Sequence, residues 1–242
     1  MNLAVDAGNT QIKMGVFGEG RLLHVETASH EGFAEALKAL FARYPGIGNA
    51  ILASVGQPEH TIRDLLAVFC KVHVVGPDTR TPYRNSYATT QTLGADRMAL
   101  ASGAFFRQPR TNILVIDAGS CITYDFMNDY GEYLGGAISP GLRMRYRALN
   151  AFTARLPLLE PHEPFDLIGN ATESSIHSGV VNGLAFEIDG VIGQYKSRYP
   201  DLTVILTGGD AQFLSRRLKS TIFAHSNFLL EGLNQLLEYN KS

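Results

Sequence analysis

The stretches LAVDAGNT at residues 3–10 and ILVIDAGS at residues 113–120 decide the fold, because they are two copies of one design. Each is a short apolar run that ends in Asp-Ala-Gly and a small polar residue, and each is followed by a second strand-like run. The two aspartates, Asp6 and Asp117, lie about half a chain apart. The repeat predicts a duplicated fold whose halves each open on a β-hairpin, with a cleft between them.

Strand and helix patterns alternate along the rest of the chain. Segment 31–44 has apolar residues at helical spacing, and segment 173–198 is a long helical candidate rich in small residues. Several strand candidates are continuously apolar, which is typical of strands buried on both faces. We therefore expect an α/β fold with mixed sheets, in which residues 1–110 form the N-terminal half and residues 111–242 the C-terminal half.

The charge balance argues against a nucleic-acid partner. The 242 residues include 21 Lys and Arg against 23 Asp and Glu, for a formal net charge of −2. A nucleic-acid-binding domain normally has a basic excess or stripe. The nearest approach to one is RMRYR, where Arg143, Arg145 and Arg147 are typical of the solvated side of a helix start or of the flank of a phosphate site.

The same sequence predicts a cytoplasmic protein. The segment MNLAVDAGNT lacks the basic stretch and long apolar core of a signal peptide. No apolar run approaches the ~18 residues of a membrane span, so we expect no membrane partner. Cys70 and Cys121 lie in apolar runs without metal-binding spacing, which favours buried, reduced thiols.

The first repeat, DAGNTQIK at 6–13, has the residue types of a phosphate site. A strand that ends in aspartate, followed by a glycine turn, offers backbone N–H groups to phosphate oxygens. Asp6 could orient Mg²⁺ or its waters, and Lys13 could add a positive charge. Alone, the segment is better explained as a hairpin with Asn9-Thr10 turn chemistry. Its echo at 117–120 makes the phosphate site the better interpretation.

Other phosphate-binding motifs are absent from the sequence. There is no GxxxxGK[ST], no GxGxxG that opens a helix after a strand, and no HRD or DFG of protein kinases. Thr207-Gly208-Gly209, at the end of an apolar run, is a third place where backbone could lie against a nucleotide. Any phosphate chemistry therefore belongs to the two hairpins.

Asp96 and Arg97 open a predicted helix in the segment LGADR. An aspartate in the first turn ordinarily stabilises the helix dipole. Phosphoryl transfer to an alcohol, however, needs a carboxylate that accepts the hydroxyl proton, and an arginine can bind an acceptor's carboxylate. Composition does not decide between the two interpretations.

The ordered set of motifs resembles the type III pantothenate kinase family over essentially the whole chain. The motifs that carry the resemblance are DAGNTQIK (6–13), LGADR (93–97), DAGSCITYD (117–125), GGAISPG (135–141), TESSIHSG (172–179) and TGGD (207–210). The resemblance implies a duplicated actin-like, ribonuclease H-like ATPase fold with a nucleotide cleft. It also implies ATP-dependent phosphorylation of pantothenate to 4'-phosphopantothenate, the first step of coenzyme A biosynthesis.

The resemblance further implies a divalent cation such as Mg²⁺, a monovalent cation (K⁺ or NH₄⁺), a homodimer, and specific residue roles. Asp96 would be the general base, and Asp117 would bind the monovalent cation. The implied contacts with ATP and its metal are Asp6, Ala7, Gly8, Asn9, Thr10, Gln11, Ile12, Lys13 and Ser120. The implied pantothenate contacts are Tyr87, Gly94, Ala95, Asp96, Arg97 and Thr172.

One residue departs from the family pattern, and two alternatives stay open. Ser120 stands where the family usually has threonine, so the hydroxyl is kept and a methyl group is lost. The chain could be another small-molecule kinase of the same superfamily, or a non-catalytic regulatory relative. The second alternative favours loss of Asp6, Asp96 or Asp117, and all three are present.

Overall fold

The computed structural model describes residues 1–54, 59–164 and 166–241. Up to the second repeat the elements are β1 (Asn2–Ala7), β2 (Ile12–Gly18), β3 (Arg21–Ala28), α1 (Phe33–Arg43), β4 (Asn49–Ser54), α2 (Glu59–Ala67), β5 (Lys71–Val74), β6 (Arg84–Asn85) and α3 (Ala95–Arg107). After it they are β7 (Ile113–Ala118), β8 (Cys121–Met127), β9 (Glu132–Pro140), α4 (Leu142–Ala151), α5 (Thr172–His177), α6 (Gly183–Arg198), β10 (Thr203–Thr207), α7 (Ala211–Ser215), β11 (Phe223–Ala224) and α8 (Phe228–Asn240).

The described residues form two compact units. The first unit contains Met1–Arg110, Met127–Leu134 and Asn227–Ser242, and the second contains Thr111–Phe126 and Gly135–Ser226. The chain thus returns to the first unit twice after leaving it. The division into actin-like halves at residue 110 stays a prediction.

The sheet of the first unit is mixed, as the sequence predicts. Its strand order is β3-β2-β1-β4-β5, with β1 antiparallel to β2 and parallel to β4. Leu3 and Val5 of β1 share a core with Phe33 and Leu37 of α1, because alternate residues of a strand face the same side. Buried apolar strands of this kind fix the hairpin turn at the end of β1.

Helix α8 completes the first unit. It packs against α3, β1 and β4, with Leu230 and Leu233 buried. A polar cluster ties it to the start of the chain, where the side-chain amide of Asn2 donates hydrogen bonds to Asn234 and Glu238. The last helix is therefore part of the unit that the first strand begins.

The second unit contains strands in the order β11-β10-β7-β8-β9, and β10 runs parallel to β7. Leu184, Ile188 and Ile192 of α6 pack into the same core as Leu206 of β10. The predicted helix over 173–198 is present as α5 and α6, joined by a π-helical turn at Ser178–Asn182. Such turns insert one residue into an α-helix and are frequent near functional sites.

Membrane insertion by a helix finds no support in the structure. Within residues 1–54, 59–164 and 166–241, no helix combines the length and apolar character that a bilayer span requires.

Candidate active site

The turn between β1 and β2 carries the first Asp-Ala-Gly motif. Asp6 and Lys13 are directly opposed across the antiparallel pair, and the Gly8 N–H donates to the Gln11 carbonyl at 3.1 Å. The side chains of Asn9, Thr10 and Gln11 are exposed, as a ligand-binding turn requires. The local hairpin therefore holds the predicted ATP contacts 6–13 together.

The structure brings Asp6, Lys13 and Asp96 together in the first unit. Burial and, to a smaller extent, the charge of Asp96 raise the pKa of Asp6, the charge of Lys13 lowers it, and the net result is a pKa of about 7. Two carboxylates close enough to repel each other favour a bound cation, and carboxylate oxygens are ligands that Mg²⁺ prefers. The donor set therefore fits a divalent metal held jointly with phosphate oxygens.

Asp96 lies in the first turn of α3, where its position is fixed by the helix start. Its Oδ1 accepts the Arg97 backbone N–H at 2.8 Å, and the Gly94 carbonyl accepts the Met98 N–H at 3.0 Å. A backbone-anchored carboxylate keeps one orientation, which a proton acceptor needs.

The Arg97 side chain is buried, with 5% exposed, between aromatic rings. Its guanidinium carbon lies 5.5 Å from the Tyr87 ring centroid and 6.0 Å from that of Tyr133. The Tyr87 N–H donates to Asn85, which pairs with Tyr133 in the β6–β9 ladder. Sequence analysis missed Tyr133, because its proximity to Arg97 arises from strand pairing rather than from a motif.

The second Asp-Ala-Gly turn, between β7 and β8, is supported by two other motifs of the sequence. The Gly141 N–H donates to the Ser120 carbonyl at 3.2 Å. Gly208, at φ +96°, lies so close that a Cβ there would overlap the Asp117 carboxylate. The segments around 117–120, 141 and 208 therefore form one assembly within the second unit.

Beneath this assembly lies a polar cluster that sequence analysis missed. Arg145 donates to the Pro140 carbonyl and the Ser139 hydroxyl, each at 2.9 Å, and is paired with Glu187. Arg143 fits the solvated interpretation of RMRYR, since it is exposed and paired with Glu160. Arg145 fits that interpretation less well, because its side chain is only 22% exposed and is paired with Glu187 of α6.

Thr172 is exposed at the start of α5 in the second unit. The next two residues, Glu173 and Ser174, line a cavity of about 510 Å³ together with His162 and His177. The Tyr146 hydroxyl and His177 Nδ1 lie 2.8 Å apart beside it. The predicted acceptor contact at Thr172 therefore adjoins a cavity, which no motif indicated.

The structure leaves two site predictions as predictions. The turns at 6–13 and 117–120 belong to different units, so their opposition across a cleft stays a prediction. Among residues 1–54, 59–164 and 166–241, no group of three or more His, Cys, Asp or Glu is placed to hold a metal ion. A metal at this site would therefore take oxygens from its nucleotide as well as from protein.

Comparison with protein families gives a match over most of the chain. The sequence model of a family described as "Type III pantothenate kinase" matches residues 2–194. A protein of that name from Flavobacterium johnsoniae is 48% identical over 239 residues, which cover 99% of this chain and 98% of the relative. Another from Christiangramia forsetii is 48% identical over 242 residues and covers both chains fully.

Comparison with solved structures gives the same fold at low sequence identity. A Baf family protein from Campylobacter jejuni has a TM-score of 0.66 at 20% identity, covering 99% of this chain and 98% of the other. A glucokinase from an Antarctic psychrotroph has a TM-score of 0.54 at 14% identity, covering 99% of each chain. The predicted fold class, a duplicated α/β fold of actin-like ATPases with mixed sheets, is confirmed.

Proposed function

Because this chain belongs to the type III pantothenate kinase family, we propose that Asp96 is the catalytic base of its reaction. The reaction is the ATP-dependent phosphorylation of pantothenate to 4'-phosphopantothenate, the first step of coenzyme A biosynthesis. The observation that supports Asp96 is its proximity to Asp6: besides burial, the charge of Asp96 raises the pKa of Asp6, whereas the charge of Lys13 lowers it.

In the proposed mechanism, Asp96 accepts the proton of the pantothenate hydroxyl as that oxygen attacks the γ-phosphorus in line, and the bond between the γ-phosphorus and ADP breaks. Lys13 places a positive charge beside the transferring phosphoryl group, and the backbone N–H groups of the first turn orient it. Asp6 would hold Mg²⁺ together with phosphate oxygens, and the bound metal would supply charge neutralisation. Positioning and electrostatics then provide most of the acceleration.

The acceptor would be held by residues on and near the start of α3. Arg97 would bind the pantothenate carboxylate, since a guanidinium forms bidentate pairs with carboxylates. Its flanking Tyr87 and the backbone of Gly94 and Ala95 would line the same pocket. Thr172 would add a further contact through its exposed hydroxyl.

The nucleotide would also contact the second turn. Ser120 is exposed at the tip of that turn, and its hydroxyl can bond a phosphate oxygen. Asp117, beside the Gly208 backbone, would bind the monovalent cation. A carboxylate next to main-chain carbonyl oxygens is a suitable oxygen donor set for such an ion.

We also propose a homodimer that resides in the cytoplasm. The second unit exposes large apolar side chains, among them Phe152 at 88%, Ile138 at 63% and Phe186 at 56%. A second copy of the chain could cover these side chains on association. Cys70 and Cys121 are free thiols, as is usual in a reducing compartment. Light scattering would test the dimer.

A coupled ADP-release assay tests the proposed function. We expect ADP release to require both pantothenate and Mg²⁺, and to be faster with potassium than with a bulky organic cation as the only monovalent ion. Equal rates with both ions would contradict the role of Asp117 alone. Absence of turnover from folded, ATP-binding protein would contradict the acceptor, and a panel of small alcohols and acids would then replace pantothenate.

A further inference from the structure

We propose that Glu187 is a positioning residue for the nucleotide, acting through Arg145 on the second turn at Gly119–Ser120. The inference deepens the proposed function and rests on it, because it takes this turn to receive a phosphate of ATP. Glu187 lies on α6 and belongs to none of the sequence motifs of the site.

The Glu187 carboxylate is held on both oxygens. The Tyr124 hydroxyl donates to Oε1 at 3.1 Å, and Arg145 Nη2 donates to Oε2. Burial raises the pKa of Glu187, but hydrogen bonds from Ser139, Arg145 and Tyr124 outweigh it, and the net shift is downward. The carboxylate is therefore ionised near neutral pH and fixes the plane of the Arg145 guanidinium.

The fixed guanidinium in turn holds the segment before α4. Arg145 Nε donates to the Pro140 carbonyl, and Nη2 donates to the Ser139 hydroxyl, each at 2.9 Å. The fork of donors is planar and rigid, so both bonds form only in one orientation of the side chain. An ammonium in the same place would lack that geometry.

The segment held by Arg145 supports the second turn directly. Gly141, which follows Pro140, donates its N–H to the Ser120 carbonyl at 3.2 Å. A Cβ on Gly141 would overlap the carbonyl oxygens of both Gly119 and Ser120. The two backbones are in such close contact that a shift of Pro140–Gly141 must shift the turn.

The exposure of the ion pair favours a positioning role over a stabilising one. The side chains of Arg145 and Glu187 are 22% and 29% exposed. Pairs with this much exposure contribute little to stability, because water screens them. Their contacts instead converge on one backbone segment that touches the candidate nucleotide turn.

The test is ATP affinity in the full-length protein with Glu187→Gln. Mg·ATP binding is measured by titration calorimetry without pantothenate, and both KM values by the coupled assay. We expect the Kd and KM for ATP to rise by about 3- to 30-fold, the range of couplings transmitted through packed networks. The KM for pantothenate should stay within about twofold.

Two further variants separate geometry from charge and location. Arg145→Lys keeps the charge and loses the fork, so we expect it to weaken ATP binding as Glu187→Gln does. Arg143 lies on α4, as Arg145 does, and is paired with the exposed Glu160. Glu160→Gln removes that partner, and we expect this variant to bind ATP normally. Normal ATP affinity in Arg145→Lys would contradict the proposed geometry.

The inference is overturned if folded Glu187→Gln protein binds ATP as the wild type does. If Glu187→Gln does not fold, Tyr124→Phe is measured instead, because it removes only the hydroxyl that donates to Glu187. Unchanged ATP affinity in Tyr124→Phe would then contradict the proposal. ATP binding is measured without acceptor. A failure of pantothenate turnover would therefore contradict the proposed function and leave the outcome of this test intact.

Discussion

The two turns that share the sequence Asp-Ala-Gly-polar differ in what surrounds them. The first, at residues 6–9, closes on itself through Gly8 and Gln11, and its neighbours are charged side chains. The second, at residues 117–120, is enclosed by backbone from two other segments, those at Gly141 and Gly208. The same local sequence therefore has charged side chains around it in one unit and neighbouring backbone segments around it in the other.

The difference shows that two copies of one motif can keep the same turn while different residues pack around them. At Gly8 the nearest atom to an added Cβ is the Gln11 carbonyl oxygen at 3.4 Å, an ordinary contact. At Gly141 and Gly208 the added Cβ would overlap backbone. We infer that the first turn tolerates an added methyl group better than the two glycine segments that enclose the second turn.

The largest expected effect lies beside the first turn. Asp96→Asn removes the proton acceptor, so kcat should fall by ~10²–10⁴, the usual contribution of a general base. The matched control, Asp64→Asn, alters an aspartate that is 65% exposed in the same unit and should keep full turnover. Steady-state kinetics measures both. Near-normal kcat in folded Asp96→Asn protein would contradict the role of Asp96 as the proton acceptor.

A backbone change should act mainly at the second turn. Gly208→Ala forces a Cβ into a φ of +96° and against the Ala118 carbonyl. We expect the free energy of unfolding to fall by about 2–5 kcal/mol, from strain and overpacking together. Gly8→Ala should change it by only about 1 kcal/mol or less. Urea denaturation measures the free energy of unfolding of both variants. Equal decreases in Gly208→Ala and Gly8→Ala would contradict the difference between the two turns.

A smaller effect would sharpen the description of the first unit. Tyr133→Leu removes one ring beside Arg97, so the KM for pantothenate should rise by about 2- to 30-fold, the range of a cation–π contact. Tyr133→Phe keeps the ring and serves as the control. The KM for ATP should stay constant in both. A parallel rise of both KM values would instead indicate general loosening of the unit.

The smallest expected effect concerns pH and the support of the second turn. The pKa of Glu187 in the folded chain lies below its ordinary 4.5, because Arg145, Ser139 and Tyr124 stabilise the charged form. Its contribution to stability is therefore present above pH 4.5 and is lost as pH falls through the folded pKa. The pair is partly exposed, so the difference from Glu187→Gln should be about 1 kcal/mol or less at pH 7. Thermal unfolding from pH 7 to 3 should show this difference shrink; a constant difference would contradict it.

Sequence patterns predicted the parts of the molecule that local interactions determine. The two hairpins follow from an apolar run and an Asp-Ala-Gly turn within about a dozen residues, so both appear where expected. The helix over 173–198 follows from its small and apolar residues, although no pattern indicated its π-helical turn. The proximity of Asp6 and Asp96 could be expected only through the family resemblance.

The missed features depend on partners far along the chain. Arg145 turns inward because Glu187, 42 residues later, accepts its hydrogen bond. Tyr133 reaches Arg97 through the pairing of Asn85 with Tyr133, a short ladder that no periodicity indicates. Helix α8 joins the first unit because its apolar face finds α3 and β1. Each depends on tertiary packing, which single-sequence patterns do not encode.

The return of α8 to the first unit has a consequence for protein synthesis. The ribosome makes β1 early and Phe228–Asn240 last among the elements, so the first unit is incomplete for most of translation. Until α8 emerges, the surfaces of α3 and β1 that it covers face water or a chaperone. A nascent chain that stalls before residue 227 would therefore carry a lasting chaperone-binding surface on its first unit.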